Sequence, residues 1–226
     1  MTRRFWITGA SHGLGLALVE QLLASGQEVA ASGRDSQQLD SLGQRYGGHL
    51  MRLGEHLPDA AQRLSSRWST LDCLIINAGT CDYLPADVAD AQLFEQIVSS
   101  NLRATEQCLV GALPHLAKGD QPQVMAVLSR YSALQLYEPN QPASGSNSLP
   151  QWLRLQRPAL KALGIDLTVA APQSLKGPVT SAQAIPEPWT AQSAAQELLA
   201  RLGQRQPELV LEVLEPGELW PLPEKI

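Results

Sequence analysis

The sequence predicts an α/β fold: one open, doubly wound parallel sheet of about seven strands with helices on both faces. Short apolar runs alternate with amphipathic stretches along the whole chain, which is the pattern of βαβ units. One run, "LDCLII", is so uniformly apolar that it reads as a central strand covered on both faces. Finally, 226 residues at 44% hydrophobic content suffice for one core, and no repeat, low-complexity tract or linker divides them. Residues 1–226 therefore read as a single domain.

The elements follow in order. "RFWIT" is the first strand, and a helix runs from Gly13 to Ala24, ended near Gly26. "QEVAAS" is the second strand; a helix over Ser36 to Tyr46 is stopped by Gly47 and Gly48. "HLMRL" is the third strand, with a brief helix after Pro58. "LDCLII" follows, then a long helix from about Asp87 to Leu113, with Leu93, Ile97, Leu102 and Leu109 among its apolar positions and Pro114 closing it. "QVMAVLS", "IDLTVAA" and "ELVLEVL" are the last three strands, the final two separated by a helix from Thr190 to Leu202. Right-handed crossovers place ligands at the carboxyl ends of such strands.

Composition excludes several functions. A net charge of −5 with no block of Lys and Arg leaves no electrostatic footprint for nucleic acid or for an anionic membrane. The apolar stretch after the two starting arginines is too short for a signal segment. No run approaches the roughly 18 apolar residues of a membrane helix, so a cytoplasmic protein is expected. Cys73, Cys81 and Cys108 are widely spaced and lack CxxC or His partners, so we expect reduced thiols and no metal site.

"TGASHGLG", Thr8 to Gly15, lies between the first strand and its helix. Glycines there permit a tight turn and let helix N-terminal amides approach a pyrophosphate without Cβ clashes. A merely structural turn is the alternative; the strand-turn-helix setting is what favours phosphate binding. The stretch resembles the first turn of the short-chain dehydrogenase/reductase family, TGxxxGxG, as Thr8, Gly9, Gly13 and Gly15 stand. The resemblance extends along nearly the whole chain. "INAG", Ile76 to Gly79, is similar to the family's NNAG with Ile76 replacing the first Asn. Asn101 in "VSSNLRAT" and Ser129 after "VL" stand where the family keeps an active-site Asn and Ser. "GIDLTVAAP" resembles its sixth strand and the following proline, Pro172. The resemblance implies a Rossmann-type sheet and a dinucleotide cofactor. Gly9, Ser11, His12, Gly13, Leu14 and Gly15 would hold its phosphates, with Asn77, Ala78, Gly79 and Pro172 along the rest of the cleft.

At the end of the second strand the family uses an acid to bind the adenosine ribose of NAD; here Gly33 takes that place and Arg34 follows. A guanidinium there clamps a 2′-phosphate that a carboxylate would repel, so NADP(H) is expected over NAD(H). Arg34 as a solvated loop cation is the bland alternative. His12 either adds a contact to the same phosphate or points at water. The family's adenine-contacting Asp after the third strand is replaced by Gly54, with Glu55 next to it.

The catalytic half departs further. The family protonates its carbonyl substrate with a Tyr whose pKa is lowered by a Lys four residues on, helped by the Ser and the Asn. In the register that keeps the flanking small residues and Leu149, "PASGSNSL" puts Pro142 for the Tyr and Ser146 for the Lys. Pro142 and Gly145 also disfavour a helix at that point, so the next helix is expected to begin at Leu149 or Pro150. Leu149, Trp152, Leu153, Leu160 and Leu163 would face the core, with a kink at Pro158. Tyr131 and Tyr137 lie nearby without a Lys; Tyr137 could swing towards the cleft, but the favoured reading of both is a partly buried amphipathic side chain.

Loss of positioned acid-base catalysis typically costs ~10²–10⁴ in rate. Two functional readings therefore stand. One is a divergent NADP(H)-dependent oxidoreductase drawing its proton from Tyr137, Ser129 or water; the other is a pseudoenzyme that senses the cofactor or supports a partner. A non-redox lyase or isomerase lacks a strong base. Ser129 and Asn101 either keep their family roles or only satisfy local hydrogen bonds. The resemblance also implies a homo-dimer or homo-tetramer built through the fourth and fifth helices.

Overall fold

The computed structural model describes residues 2–77, 91–128, 149–171 and 191–210. The strands are β1 (Arg4–Thr8), β2 (Glu28–Ser32), β3 (Leu50–Gly54), β4 (Cys73–Ile76), β5 (Gln123–Val127), β6 (Asp166–Ala171) and β7 (Glu208–Val210). The helices are α1 (Gly13–Ala24), α2 (Gln37–Tyr46), α3 (Leu57–Arg67), α4 (Ala91–Leu116), α5 (Leu149–Ala162) and α6 (Ala191–Leu202). All seven strands lie in one sheet in the order β3-β2-β1-β4-β5-β6-β7, and every neighbouring pair is parallel. The expected sheet is therefore present.

Alternation along the strands divides the core into two layers. Trp6, Leu74, Ile76, Val124, Ala126, Leu167 and Val169 point towards Leu64 of α3, Cys108 and Leu116 of α4, and Leu153 and Leu160 of α5. Phe5, Ile7, Cys73, Ile75, Met125 and Ala170 point the other way, towards Leu18 and Leu22 of α1, Leu39 of α2 and Leu198 of α6. All four residues of β4 are buried, as its uniform apolarity requires. The one polar atom of the largest core side chain is also matched: Trp6 Nε1 donates to Ser32 Oγ at 2.7 Å inside the protein.

Local chemistry sets the helix ends. Ser36 caps α2 by accepting the Leu39 amide at 3.2 Å. The chain leaves both α1 and α5 through a left-handed glycine, Gly26 at φ +76° and Gly164 at φ +74°. In each case the glycine amide and the amide after it return to the last turn: Gly26 N–H to Leu23 O and Gln27 N–H to Leu22 O, then Gly164 N–H to Lys161 O and Ile165 N–H to Leu160 O.

Three boundaries differ from the sequence expectation. Pro114 does not close α4, which continues to Leu116. In the last turn the proline forfeits only the bond to the Val110 carbonyl, and Val110 lies on an exposed face, 63% accessible, where a missing intrahelical bond costs least. Leu163 does not face the core; it is 54% exposed. The helix stops one residue earlier, and the turn at Gly164 brings Ile165, fully buried, against Leu160 instead. The third helix is not brief and does not wait for Pro58: it spans 11 residues from Leu57 and takes the proline into its first turn, where no amide is needed. α5 is described from Leu149, so its expected late start abuts residues outside the described ones; it contains Pro158 and buries Leu149, Leu153 and Leu160 with Trp152 half-buried. The expected start of α4 near Asp87 and the continuation of the last strand past Val210 lie outside the described residues.

Among the described residues no helix is long and apolar enough to cross a membrane.

Candidate functional site

β1 lies between β2 and β4, so the winding direction reverses there and the carboxyl ends of β1 and β4 flank a crevice. The loop Gly9 to His12 rises from β1 into this crevice. Gly9 and Gly13 hold φ +64° and +55°, a backbone region that side chains resist. Gly15 is required by close approach instead: a Cβ on it would sit 2.1 Å from the Gly9 carbonyl oxygen and 2.8 Å from Asn77 Nδ2.

The start of α1 is left open to an anion. His12 occupies the N-cap in extended conformation, its side chain makes no capping bond, and the first turn contains no acid. The amides of that turn thus lack a side-chain acceptor and sit at the positive end of the helix. Leu14 is half-buried and packs on the α1 side of the core, fixing the turn, while His12 and Gly13 are exposed. Asn77, at the end of β4, braces the loop: its amide N–H donates to Thr8 Oγ1 at 3.1 Å and its Nδ2 to the Gly9 carbonyl at 3.3 Å.

The end of β2 lies beside this loop. The Ala10 amide donates to the Ser32 carbonyl at 3.0 Å, and a Cβ on Gly33 would sit 3.1 Å from both the Ser11 nitrogen and Ser11 Oγ. Ser11 is buried at 7% exposure, with its Oγ 3.4 Å from His12 Nδ1. Ser11, His12, Gly33 and Arg34 are thus drawn to one place. Arg34 is exposed, and among the described residues nothing is paired or hydrogen-bonded to its side chain. Gly54, where the resemblance implies an Asp, has φ +82° and accepts the Gly33 amide through its carbonyl at 2.9 Å. It supports the floor of the site and offers no side chain to an adenine; Glu55 is exposed beside it.

These residues fit a dinucleotide pyrophosphate, because the uncapped helix start and the glycine contacts supply donors without obstruction. Sequence reasoning missed one neighbour. Arg52 of β3 reaches Asp35, the residue after Arg34, at 2.7 Å, and also pairs with Asp40 of α2. Spacing gives no hint of that, since the pairing depends on the β2–β3 register.

Of the expected catalytic residues, Asn101 is buried at 4% exposure in α4, where its carbonyl accepts Thr105 Oγ1 at 2.9 Å. Ser129, Ala78, Gly79, Pro172, Tyr131, Tyr137 and the stretch 142–148 lie outside the described residues. Two thiols are described, Cys73 and Cys108; both are free and buried, and burial pushes each pKa up to about 12. Among the described residues no group of His, Cys, Asp or Glu is arranged to hold a metal ion.

The sequence matches the family model for short chain dehydrogenases over residues 4–182. Among relatives, a "Probable NADP-dependent dehydrogenase" of Haemophilus influenzae is 28% identical over 130 residues, 54% of this chain and 52% of that protein. A cis-2,3-dihydrobiphenyl-2,3-diol dehydrogenase of Paraburkholderia xenovorans is 32% identical over 122 residues, 49% of this chain and 44% of that protein. The chain thus spans about half the length of the relatives it matches in sequence. In structure it is similar to an NADPH-bound carbonyl reductase from chicken fatty liver, with TM-score 0.71, 21% identity and coverage of 93% of this chain and 92% of that one. It is also similar to a carbonyl reductase from Pseudomonas aeruginosa in complex with NADP, with TM-score 0.69, 24% identity and coverage of 94% and 96%. The family model covers well over half of the sequence, and the sheet order and glycine loop agree with it: the chain belongs to the short-chain dehydrogenase/reductase family.

Proposed function

We propose that the protein binds NADP(H) and is by descent an oxidoreductase of carbonyl or alcohol substrates, with ordinary turnover weak or absent. One observation carries the cofactor reading: the exposed Arg34, unpaired among the described residues, stands beside Ser11 and Gly33, next to a helix start that has neither a side-chain cap nor an acid. A 2′-phosphate placed there meets a guanidinium and a hydroxyl, while the open amides of the helix start are left to the pyrophosphate. The names of the Haemophilus relative and of the chicken and Pseudomonas reductases, each tied to NADP or NADPH, support the same choice.

The reading of weak turnover rests on Pro142 and Ser146 standing where the family keeps Tyr and Lys. When bound, the nicotinamide supplies or accepts a hydride; the proton for the carbonyl oxygen must come from the chain or from water. Ser129, Tyr137 and water are the proposed sources. Asn101 is proposed to keep its place behind Ser129.

The replaced Tyr and Lys also favour a second reading, a pseudoenzyme that binds the cofactor without turnover. Calorimetric titration with NADPH and NADH tests the first step. Micromolar NADPH binding, tighter than NADH and weakened by Arg34→Ala, is the expected result; no binding of either at millimolar concentration overturns the reading. NADPH oxidation with a carbonyl or quinone panel, abolished by Ser129→Ala, then separates oxidoreductase from pseudoenzyme. Assembly into dimers or tetramers through α4 and α5 is proposed on family grounds, with Val110 and Leu155 exposed on those helices, and light scattering tests it. A cytoplasmic location is proposed from composition alone.

A further inference from the structure

Resting on the NADP(H) reading, we infer that Arg52 is a positioning residue for cofactor choice: it draws the Asp35 carboxylate away from the 2′-phosphate place and leaves Arg34 as the cation facing it.

The geometry is specific. Asp35 follows Arg34 directly and its side chain is 92% exposed, so an aspartate there has two competing partners: the guanidinium next to it or one across the loop. It takes the second, with Arg52 Nη2 2.7 Å from Asp35 Oδ1. The other arm of the same guanidinium pairs with Asp40 in the first turn of α2. Arg52 reaches both because β3 runs parallel to β2, with Ala31 opposite Arg52 and the register shifting just before Ser32 pairs with Gly54. Leu50 packs into the α1–α2 core layer, and Arg52, two residues on, projects from the same face towards α2. The carboxylate is thus held on the α2 side, while Arg34 is left unpaired among the described residues.

Stability does not explain this arrangement, because ion pairs so exposed contribute little to folding. An anionic ligand feels it more. A phosphate monoester carries roughly two negative charges near neutral pH, so an uncompensated carboxylate within several ångströms opposes it twice over. NADH has no phosphate at that place and is insensitive to the same charge.

Titration of the full-length protein at low salt with NADPH and with NADH tests the idea. Arg52→Ala is expected to raise the NADPH Kd about fivefold and leave the NADH Kd within about twofold, the difference shrinking as salt screens the charges. Asp35→Asn added to Arg52→Ala should restore NADPH binding, and Arg52→Lys should retain most of it. Equal weakening of both cofactors, or failure of Asp35→Asn to restore the NADPH preference, overturns the inference in favour of plain support for α2. If Arg52→Ala does not fold, Arg52→Gln with and without Asp35→Asn decides: weaker NADPH binding by the single variant, restored in the double variant, is expected, and equal NADPH binding by the two overturns the idea. If the unaltered protein binds neither cofactor, the functional reading itself fails, which is a different result from a bound NADPH indifferent to Arg52 and Asp35.

Discussion

The two edges of the sheet treat their polar groups in opposite ways. At the amino ends of the strands, charges are matched. Arg4 pairs with Glu28 at 2.8 Å, Asp166 takes Lys161 at 2.7 Å and Arg205 at 2.5 Å, and Glu208 takes Arg154 at 2.7 Å. Asp72, only 8% exposed, accepts the Arg4 amide on one oxygen and the Asp120 amide on the other, both at 2.8 Å, and so joins β1, β4 and the entry to β5. At the carboxyl ends Arg52 is matched by Asp35 and Asp40, but beside it α1 starts without a side-chain cap, and His12 and Arg34 are exposed. The opposite edge fills such positions. The difference at α1 is the one the proposed cofactor site needs, while the amino edge holds the sheet together.

Breaking each edge should therefore produce a different failure. The largest effect is expected from Gly15→Ala. The new Cβ would meet the Gly9 carbonyl at 2.1 Å, so the glycine loop must move, and NADPH binding measured by calorimetry should fall below detection. Overpacking of this kind costs about 1–3 kcal/mol of stability, which chemical denaturation will read separately. Asp72→Ala is the counterpart. It leaves two amides without their acceptor at a buried position, and a loss of about 2–3 kcal/mol in denaturant unfolding is expected, with NADPH affinity unchanged. Should Asp72→Ala weaken NADPH binding at temperatures where the protein remains folded, the division between the edges is wrong.

Next in size is Arg34→Ala, which removes a charge-assisted contact to the 2′-phosphate while touching nothing else among the described residues. NADPH binding should weaken about tenfold, or about 1.4 kcal/mol, with thermal stability unmoved. Gly33→Asp sharpens the same point. It places a carboxylate over Ser11 at the spot where the family binds the NAD ribose, and the ratio of NADH to NADPH affinity should rise.

How much of the molecule is legible in its sequence depends on the range of the interaction. The parallel sheet follows from apolar runs and crossover rules, and the two-layer core from alternation within each strand, because both patterns are written into neighbouring residues. The glycine loop is legible because backbone conformation and close approach restrict the residue type at each position. The terminal turns are legible only partly: Gly26 reads as a stop, but helical spacing continues through Leu163 and assigns it to the core. Spacing does not show that the left-handed turn at Gly164 substitutes Ile165. The roles of Asp72 and Arg52 are not legible at all. Each acts on residues distant in sequence, through β1, β4 and the β5 entry in one case and the β2–β3 register in the other, and a lone charge in a sequence names no partner.

The smallest expected effect tests the amino edge by pH. The Lys161 ammonium hydrogen-bonded to Asp166, aided by the Arg205 guanidinium, holds the aspartate below its ordinary pKa, and the carboxylate is only 21% exposed. A carboxyl group whose pKa is lower folded than unfolded stabilises the fold at every pH above its unfolded value. That contribution disappears as pH falls through the folded value, because the native state must then take up the proton as well. Asp166→Asn removes the titrating group and leaves two cations facing a neutral amide. At neutral pH the variant should unfold about 2–4 °C lower, the size expected for roughly 1 kcal/mol in a chain of this length. On acidification the parent should lose its advantage and the two melting temperatures should converge below the ordinary aspartate range. Added salt at neutral pH should narrow the gap for the same reason. A gap that persists unchanged into acid would mean that Asp166 acts by packing against the β6 start, not by its charge. The Asp166 ion pairs would then not be part of what holds the amino edge together.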